Sequence, residues 1–166
     1  MTAGRPRFFD LTSAESRRVL ARNHVGRLAF QRRGQVDVEP LGYVATKDWI
    51  FFRGAYGSRL EAVSSTPFVA FEVDEVRGPF DWRSVVVRGT IYMLPSDGSP
   101  LEQRGYRRAV RLFRAVMPQA FTPDDPVPER EHVYGLNVQR ITGRVARSAA
   151  SRPASARTPK RPARRR

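Results

Sequence analysis

The chain has 166 residues, enough for one domain with a sizeable core, and 40% of them are hydrophobic. It contains no cysteine, which excludes disulfides, thiolate metal sites and cysteine nucleophiles together. Of the formal charge of +14, half lies in residues 148–166, which hold seven basic side chains and no acidic one.

Those last residues are almost entirely Ser, Ala, Pro and Arg. Such a composition cannot bury apolar surface, so residues 148–166 are expected to form a disordered basic tail. Its charge suits loose phosphate contacts with nucleic acid, but it has no aromatic side chain to stack on a base. No run approaches the roughly 18 apolar residues of a membrane helix. The first ten residues lack the continuous apolar stretch of a secretory signal. The expectation is a soluble, cytoplasmic protein with a flexible lead-in over residues 1–9 and one domain over residues 10–147.

In chain order, Thr12 and Glu15 form a capping box that starts a helix reaching about Asn23, with Val19 and Leu20 on its apolar side. Residues 25–31 and 36–44 read as the two strands of a hairpin around Arg33-Gly34. Pro40 predicts an edge or a bulge in the second strand. Residues 49–53 form a third strand, followed by a glycine-containing turn and a short helix over 58–65. Residues 68–75 alternate as a fourth strand, residues 76–81 form a loop, and residues 82–94 form a long fifth strand. The Val85-Val86-Val87 centre of that strand predicts burial on both faces. Ser99-Pro100 starts a helix that Pro118 ends. A proline-rich acidic connection then leads to a last strand over 133–145. Hairpin links dominate and no regular β–α alternation is present, which predicts a small antiparallel barrel with flanking helices.

Most motif tests exclude chemistry. His24 and His132 have no second ligand at metal spacing, and there is no phosphate loop, dinucleotide fingerprint or nucleophile elbow. Glu72 and Asp74 share a strand face, with Glu75 after them, and read as a strand end meeting solvent. Arg104, Arg107, Arg108 and Arg111 read as a solvated helix face. Residues 49–60 carry more. An apolar strand ends on Arg53 and opens through Gly54 and Gly57 to Ser58 and Arg59, where a helix start and two guanidinium groups suit an anion. Taken alone, this stretch reads first as an ordinary strand, turn and helix.

The order of segments is more informative than any one of them. Asn23-His24-Val25-Gly26-Arg27-Leu28-Ala29-Phe30 is followed by Val38-Glu39-Pro40-Leu41-Gly42-Tyr43-Val44, then Ile50-Phe51-Phe52-Arg53 and Gly57-Ser58-Arg59-Leu60. Phe71-Glu72-Val73-Asp74 and Trp82-Arg83-Ser84-Val85-Val86-Val87-Arg88-Gly89 complete the series. This ordered set resembles the pyridoxamine 5′-phosphate oxidase-like, FMN-binding split-barrel family, in its short bacterial branch, over residues 11–145.

The resemblance implies a six-stranded antiparallel split β-barrel that works as a homodimer, with FMN in clefts at the dimer interface. It implies that Pro40, Leu41, Gly42, Tyr43 and Val44 offer backbone groups along the isoalloxazine edge. By the same resemblance, Phe52 and Arg53 end the next strand beside the cofactor, and Ser58 and Arg59 grip the phosphate. Trp82 and Ser84 sit near the cofactor or the partner subunit. Trp49, Tyr43, Phe52 and Tyr56 can supply an apolar slot for the ring, although Trp49 and Phe51 read better as core. No histidine or arginine pair suits pyridoxal phosphate as substrate, so true pyridoxamine phosphate oxidase activity is not expected. The leading expectation is a flavin-dependent oxidoreductase. Its rivals are an F420-dependent reductase of the same fold, and a non-catalytic flavin-binding or nucleic-acid-associated protein using the basic tail.

Overall fold

A computed structural model describes residues 5–55 and 66–148 of the chain. Seven strands and two helices are described: β1 Arg7–Leu11, α1 Ser13–Arg22, β2 Val25–Arg32, β3 Gln35–Ala45, β4 Trp49–Gly54, β5 Phe68–Gly78, β6 Asp81–Met93, α2 Pro100–Val116 and β7 His132–Arg147. All the pairings are antiparallel, in the order β1-β7-β4-β3-β2-β5-β6. A further pairing of β7 with β6 closes β2 to β7 into a six-stranded barrel. The expected fold class, a mainly β, six-stranded antiparallel split barrel with flanking helices, is the one observed. The short helix expected at 58–65 and the tail expected at 149–166 lie outside the described residues.

Period-two alternation builds the interior. Leu28 and Phe30 of β2, Val69, Phe71 and Val73 of β5, and Val85 and Val87 of β6 all point inward and are buried. They meet Ile50, Phe52, Tyr134 and Leu136, and the rings of Phe52 and Tyr134 stack at 5.4 Å. Val19 and Leu20 of α1 join this core at one end, and the Tyr43 hydroxyl donates to the Leu20 carbonyl at 2.8 Å. Both halves of the expected capping box on α1 form: the Thr12 N–H donates to Glu15, and the Glu15 N–H donates to the Thr12 hydroxyl.

β4 is buried on both faces. Its outward residue Phe51 joins Val44 and Val133 beneath Ala109 and Phe113 of α2, forming a second apolar cluster. Trp49 lies nearly parallel to Phe51 at the edge of this cluster, so both are ordinary core. α2 therefore covers the outer surface of β3, β4 and the start of β7. Arg104, Arg107, Arg108 and Arg111 stay exposed on its far side.

Four details differ from the sequence reading. Residues 7–9, expected in the lead-in, belong to β1, which pairs with the far half of β7 from Arg7↔Arg147 to Leu11↔Gly143. The loop expected at 76–81 shrinks to a tight turn, because β5 continues through a bulge to Gly78 and β6 starts at Asp81. Val86 is only half-buried, since the outer face of β6 carries no helix. Finally, seven strands stand where six were counted. Pro40 behaves as expected: β4 pairs with β3 only at residues 43–45, so one side of β3 at Pro40 is an edge.

Among the described glycines, Gly26 and Gly89 meet the closest approaches. A Cβ at Gly26 would lie 2.2 Å from the Phe71 ring, which packs directly over that backbone. A Cβ at Gly89 would lie 1.8 Å from the Asn137 carbonyl oxygen, at the bulge where β6 shifts register against β7. Because the second obstacle is backbone, G89A is expected to destabilise the fold by about 2 kcal/mol or more in urea unfolding. G42A, whose added Cβ would have only an ordinary contact at 3.7 Å, is expected to be nearly neutral.

Candidate functional site

The outer surface of the barrel is divided. One part lies under α2. The other runs across β3, β2, β5, β6 and the end of β7, and no helix covers it among the described residues. Registered pairs place Pro40, Arg27, Glu72, Val86 and Thr142 in one row across this open face. A neighbouring row holds Val38, Ala29, Ala70, Arg88 and Arg140. Val36, Val38 and Phe68 are exposed here by 72%, 60% and 67%, a concentration of apolar area unusual on a free surface. A cleft of about 430 Å³ lies between Val36 and Phe68, lined also by Ala29, Ala70 and Arg88.

Charges on the open face are paired across strands. Arg27 reaches Asp74 at 2.9 Å and Glu72 at 3.2 Å, and the Ser84 hydroxyl donates to Glu72 at 2.8 Å. The shared face expected for Glu72 and Asp74 is therefore correct, but they bind Arg27 and do not simply meet solvent. Glu75 is gripped by Arg22, Asn23 and Arg83, and the Arg22 guanidinium lowers its pKa to about 2. These contacts tie the end of α1 to β5 and β6.

A second concavity, about 170 Å³, opens where the open face meets the α2 side. Gly42, Tyr43, Val44 and Arg53 form its barrel wall, Phe113 and Met117 its helix wall, and Val127 and Arg130 its outer lip. The segment between α2 and β7 is held there by one buried ion pair. Arg53 contacts Asp125 at 2.7 Å, and the two side chains are 6% and 3% exposed. Asp125 also accepts from the N–H groups of Phe121 (2.6 Å) and Val127 (3.0 Å). Arg53 donates in addition to the Arg130 carbonyl at 2.8 Å, and the Phe121 ring lies 4.0 Å from its guanidinium carbon. Hydrogen bonding from Arg53, opposed by desolvation, lowers the Asp125 pKa to about 2.

The sequence-predicted site residues fall into five groups. Pro40 and Gly42 are exposed on β3. The side chains of Leu41, Tyr43 and Phe52 are buried in the barrel and that of Val44 under α2, all at 5% exposure or less, so on the open face these residues have only backbone to offer. The slot expected from Tyr43 and Phe52 is therefore not formed: both rings fill the barrel interior, where burial also pushes the Tyr43 phenol pKa up. Arg53, expected beside the cofactor and its phosphate, bonds instead to Asp125 and to two carbonyls, which anchor the segment before β7. Trp82 and Ser84 share the open face with Pro40 but lie three strands away. Trp82 packs against Phe8, and Ser84 is bonded to Glu72. Ser58, Arg59 and Tyr56 lie outside the described residues.

Sequence reasoning missed Asp125, Phe121, Arg130 and the pairing of Arg27. Asp125 meets Arg53 across 72 residues, and no local pattern carries that pairing. Arg27 was visible in the Gly-Arg-Leu opening. Its partners Glu72 and Asp74 follow once β2 and β5 are set side by side.

A family model described as pyridoxamine 5′-phosphate oxidase matches residues 12–145. Among solved structures, a FAD-binding protein of Mesorhizobium loti is 26% identical, with a TM-score of 0.66 over 85% of this chain and 98% of that one. A Corynebacterium diphtheriae protein of unknown function is 24% identical, with a TM-score of 0.62 over 83% and 97%. A FAD-binding protein of Mycobacterium smegmatis is 21% identical, with a TM-score of 0.54 over 83% and 97%. The last two likenesses concern the fold alone. No curated protein matches the chain. No described helix is long and apolar enough to cross a membrane.

Removing one partner of a buried ion pair strands the other, so D125N is expected to destabilise the protein by about 3 kcal/mol. Asp125 and Glu75 have folded pKa values of about 2, below their ordinary 3.8 and 4.5. Their contribution is present above the ordinary values and is lost as pH falls from about 4.5 towards 2. Chemical unfolding measured across that window should show stability falling with acidification, with a shallower slope in D125N.

Proposed function

Since the chain belongs to the pyridoxamine 5′-phosphate oxidase family, we propose that it is a flavin-binding oxidoreductase that takes FMN and acts as a homodimer. The observation that carries the cofactor reading is Gly42. Among the described residues nothing requires a glycine there, because a Cβ would meet only the His24 carbonyl at an ordinary 3.7 Å. The residue is nevertheless exposed beside a stretch of β3 that pairs with no other strand on that side among the described residues. A bare backbone at an open edge suits the close approach of a flat ring that hydrogen-bonds to main-chain groups. The FAD-binding name of the Mesorhizobium loti relative supports a flavin as that ring.

When bound, a flavin supplies hydride and single-electron transfer. The chain's part is to hold and orient it. Pro40, Gly42 and the main chain of Leu41, Tyr43 and Val44 lie along the ring edge, with the end of β4 at Phe52 beside them. Ser58 and Arg59 take the phosphate. With Arg53 neutralised by Asp125, Arg59 carries the phosphate's charge without help from that residue. No proton-donating side chain is assigned.

The exposed Val36, Val38 and Phe68 support a second copy of the chain as the cover of the open face. That arrangement gives Trp82 and Ser84, three strands from Pro40, a role at the partner's cofactor.

Purified protein is expected to carry visible flavin absorbance that is released on denaturation. R59A should weaken FMN binding at least tenfold in a fluorescence-quenching titration, as expected for loss of a charge-assisted phosphate bond. G42L should abolish binding while leaving the melting temperature within a few degrees of wild type. Binding of F420 in place of FMN or FAD would overturn the cofactor assignment. For the assembly, V38E and F68E should each convert a sedimenting dimer to monomer; a wild-type monomer at micromolar concentration would reject it.

A further inference from the structure

The small concavity beside Gly42 has the features of a binding site in its own right. Its walls are largely apolar, with Val44 on the barrel, Phe113 and Met117 on the helix side and Val127 on the outer segment, and His24 also lines it. Its lip carries Arg130. The main chain of that residue is fixed, because Arg53 donates to its carbonyl at 2.8 Å and to the Val127 carbonyl at 3.4 Å. Arg53 itself adds no net charge to the pocket, since Asp125 neutralises it at 2.7 Å.

Arg130 is different. Among the described residues, its one ion-pair partner is Glu129, at 4.0 Å, the limit of an ion pair, and that side chain is 64% exposed. Glu131, next along the chain, is 75% exposed and faces His132 at 3.9 Å. Water screens both carboxylates strongly. The result is an arginine at the rim of a largely apolar recess, its side chain half-exposed at 48%, with only weak compensation among the described residues.

We propose that this recess binds a compact monocarboxylate with an apolar body, such as an aromatic or branched-chain acid. The body fills the space between Val44, Phe113 and Val127, and Arg130 pairs with the carboxylate. The volume sets the size. About 170 Å³ is below the roughly 300–1,000 Å³ of sites for drug-sized ligands, so a single ring or branched alkyl group fits and a nucleotide does not. The fork geometry of Arg suits a carboxylate, and the apolar walls disfavour a small hydrated ion. Because Gly42 and Val44 border both the recess and the proposed flavin edge, the bound acid would lie beside the ring. As a binding site the recess stands without the flavin. As a substrate site it rests on the flavin reading.

Isothermal titration calorimetry on the full chain tests this with benzoate, benzyl alcohol and inorganic phosphate as probes. Benzoate is expected to bind saturably at one site, with benzyl alcohol and phosphate at least tenfold weaker. R130Q should reduce benzoate affinity at least tenfold and remove its advantage over benzyl alcohol, while R130K restores part of it. V116W, at a half-exposed position of the helix wall, should block the recess and abolish benzoate binding. No heat from benzoate at millimolar concentration, or equal affinity in wild type and R130Q, would overturn the proposal. FMN titrations on the same samples separate the two readings: benzoate binding without FMN binding keeps the recess and rejects the flavin, and the reverse does the opposite.

Discussion

β7 is the strand on which closure of the barrel depends, and Gly89 is where its closure is most constrained. From Tyr134 to Ala146, β7 keeps β6 along one edge. On the other edge it pairs first with β4 and then with β1. The change of neighbour coincides with the irregularity between Arg88 and Gly89, where Gln139 drops out of the ladder and its side chain turns to Thr90 at 2.8 Å. A bulge adds local twist, which lets one strand leave one sheet and enter another. The Asn137 carbonyl then sits where any side chain on residue 89 would begin.

From that closure follows the division of the outer surface. The half of β7 paired with β4 carries Val133 beneath α2, and the half paired with β1 carries Thr142 and Arg144 onto the open face. Each half has its own charge economy. Under α2 a single arginine is buried and fully matched, by one carboxylate and two carbonyls. On the open face the matched charges are half-exposed and spread over strands, as with Arg27, Glu72 and Asp74. A surface of that second kind can trade water for a partner's side chains at little electrostatic cost, whereas the first is already a finished interior.

Much of the fold was legible because it is written in short-range chemistry. Thr12 with Glu15, Ser99 with Pro100, Gly34 in the hairpin turn and the alternation around Phe71 each act within a few residues. What was not legible acts at distance. Arg53 ends an apolar strand in a manner that resembles an anion ligand, and only the folded chain reveals Asp125 beside it. β1 was hidden because Arg7, Phe8, Phe9 and Asp10 stay exposed as an outer strand and show no buried alternation. Val86 looked like core because Val85 and Val87 are core. Of the candidate site, Pro40 and Gly42 were singled out from the sequence and are exposed, while Asp125 and Arg130, which shape the recess beside them, had no local signature.

The pairing of β1 with β7 also dictates an order of assembly. Asp10 meets Arg144 across 134 residues, and Tyr134 and Leu136 are central members of the core. The hairpins of β2 with β3 and of β5 with β6 can form from local contacts. The interior they share stays open until the final strand arrives. Topologies dominated by such distant contacts fold slowly and expose unpaired edges meanwhile. On a ribosome, this barrel has no closed state until β7 has left the exit tunnel. Until then, β4 and β6 each present an edge that any neighbouring nascent chain could occupy.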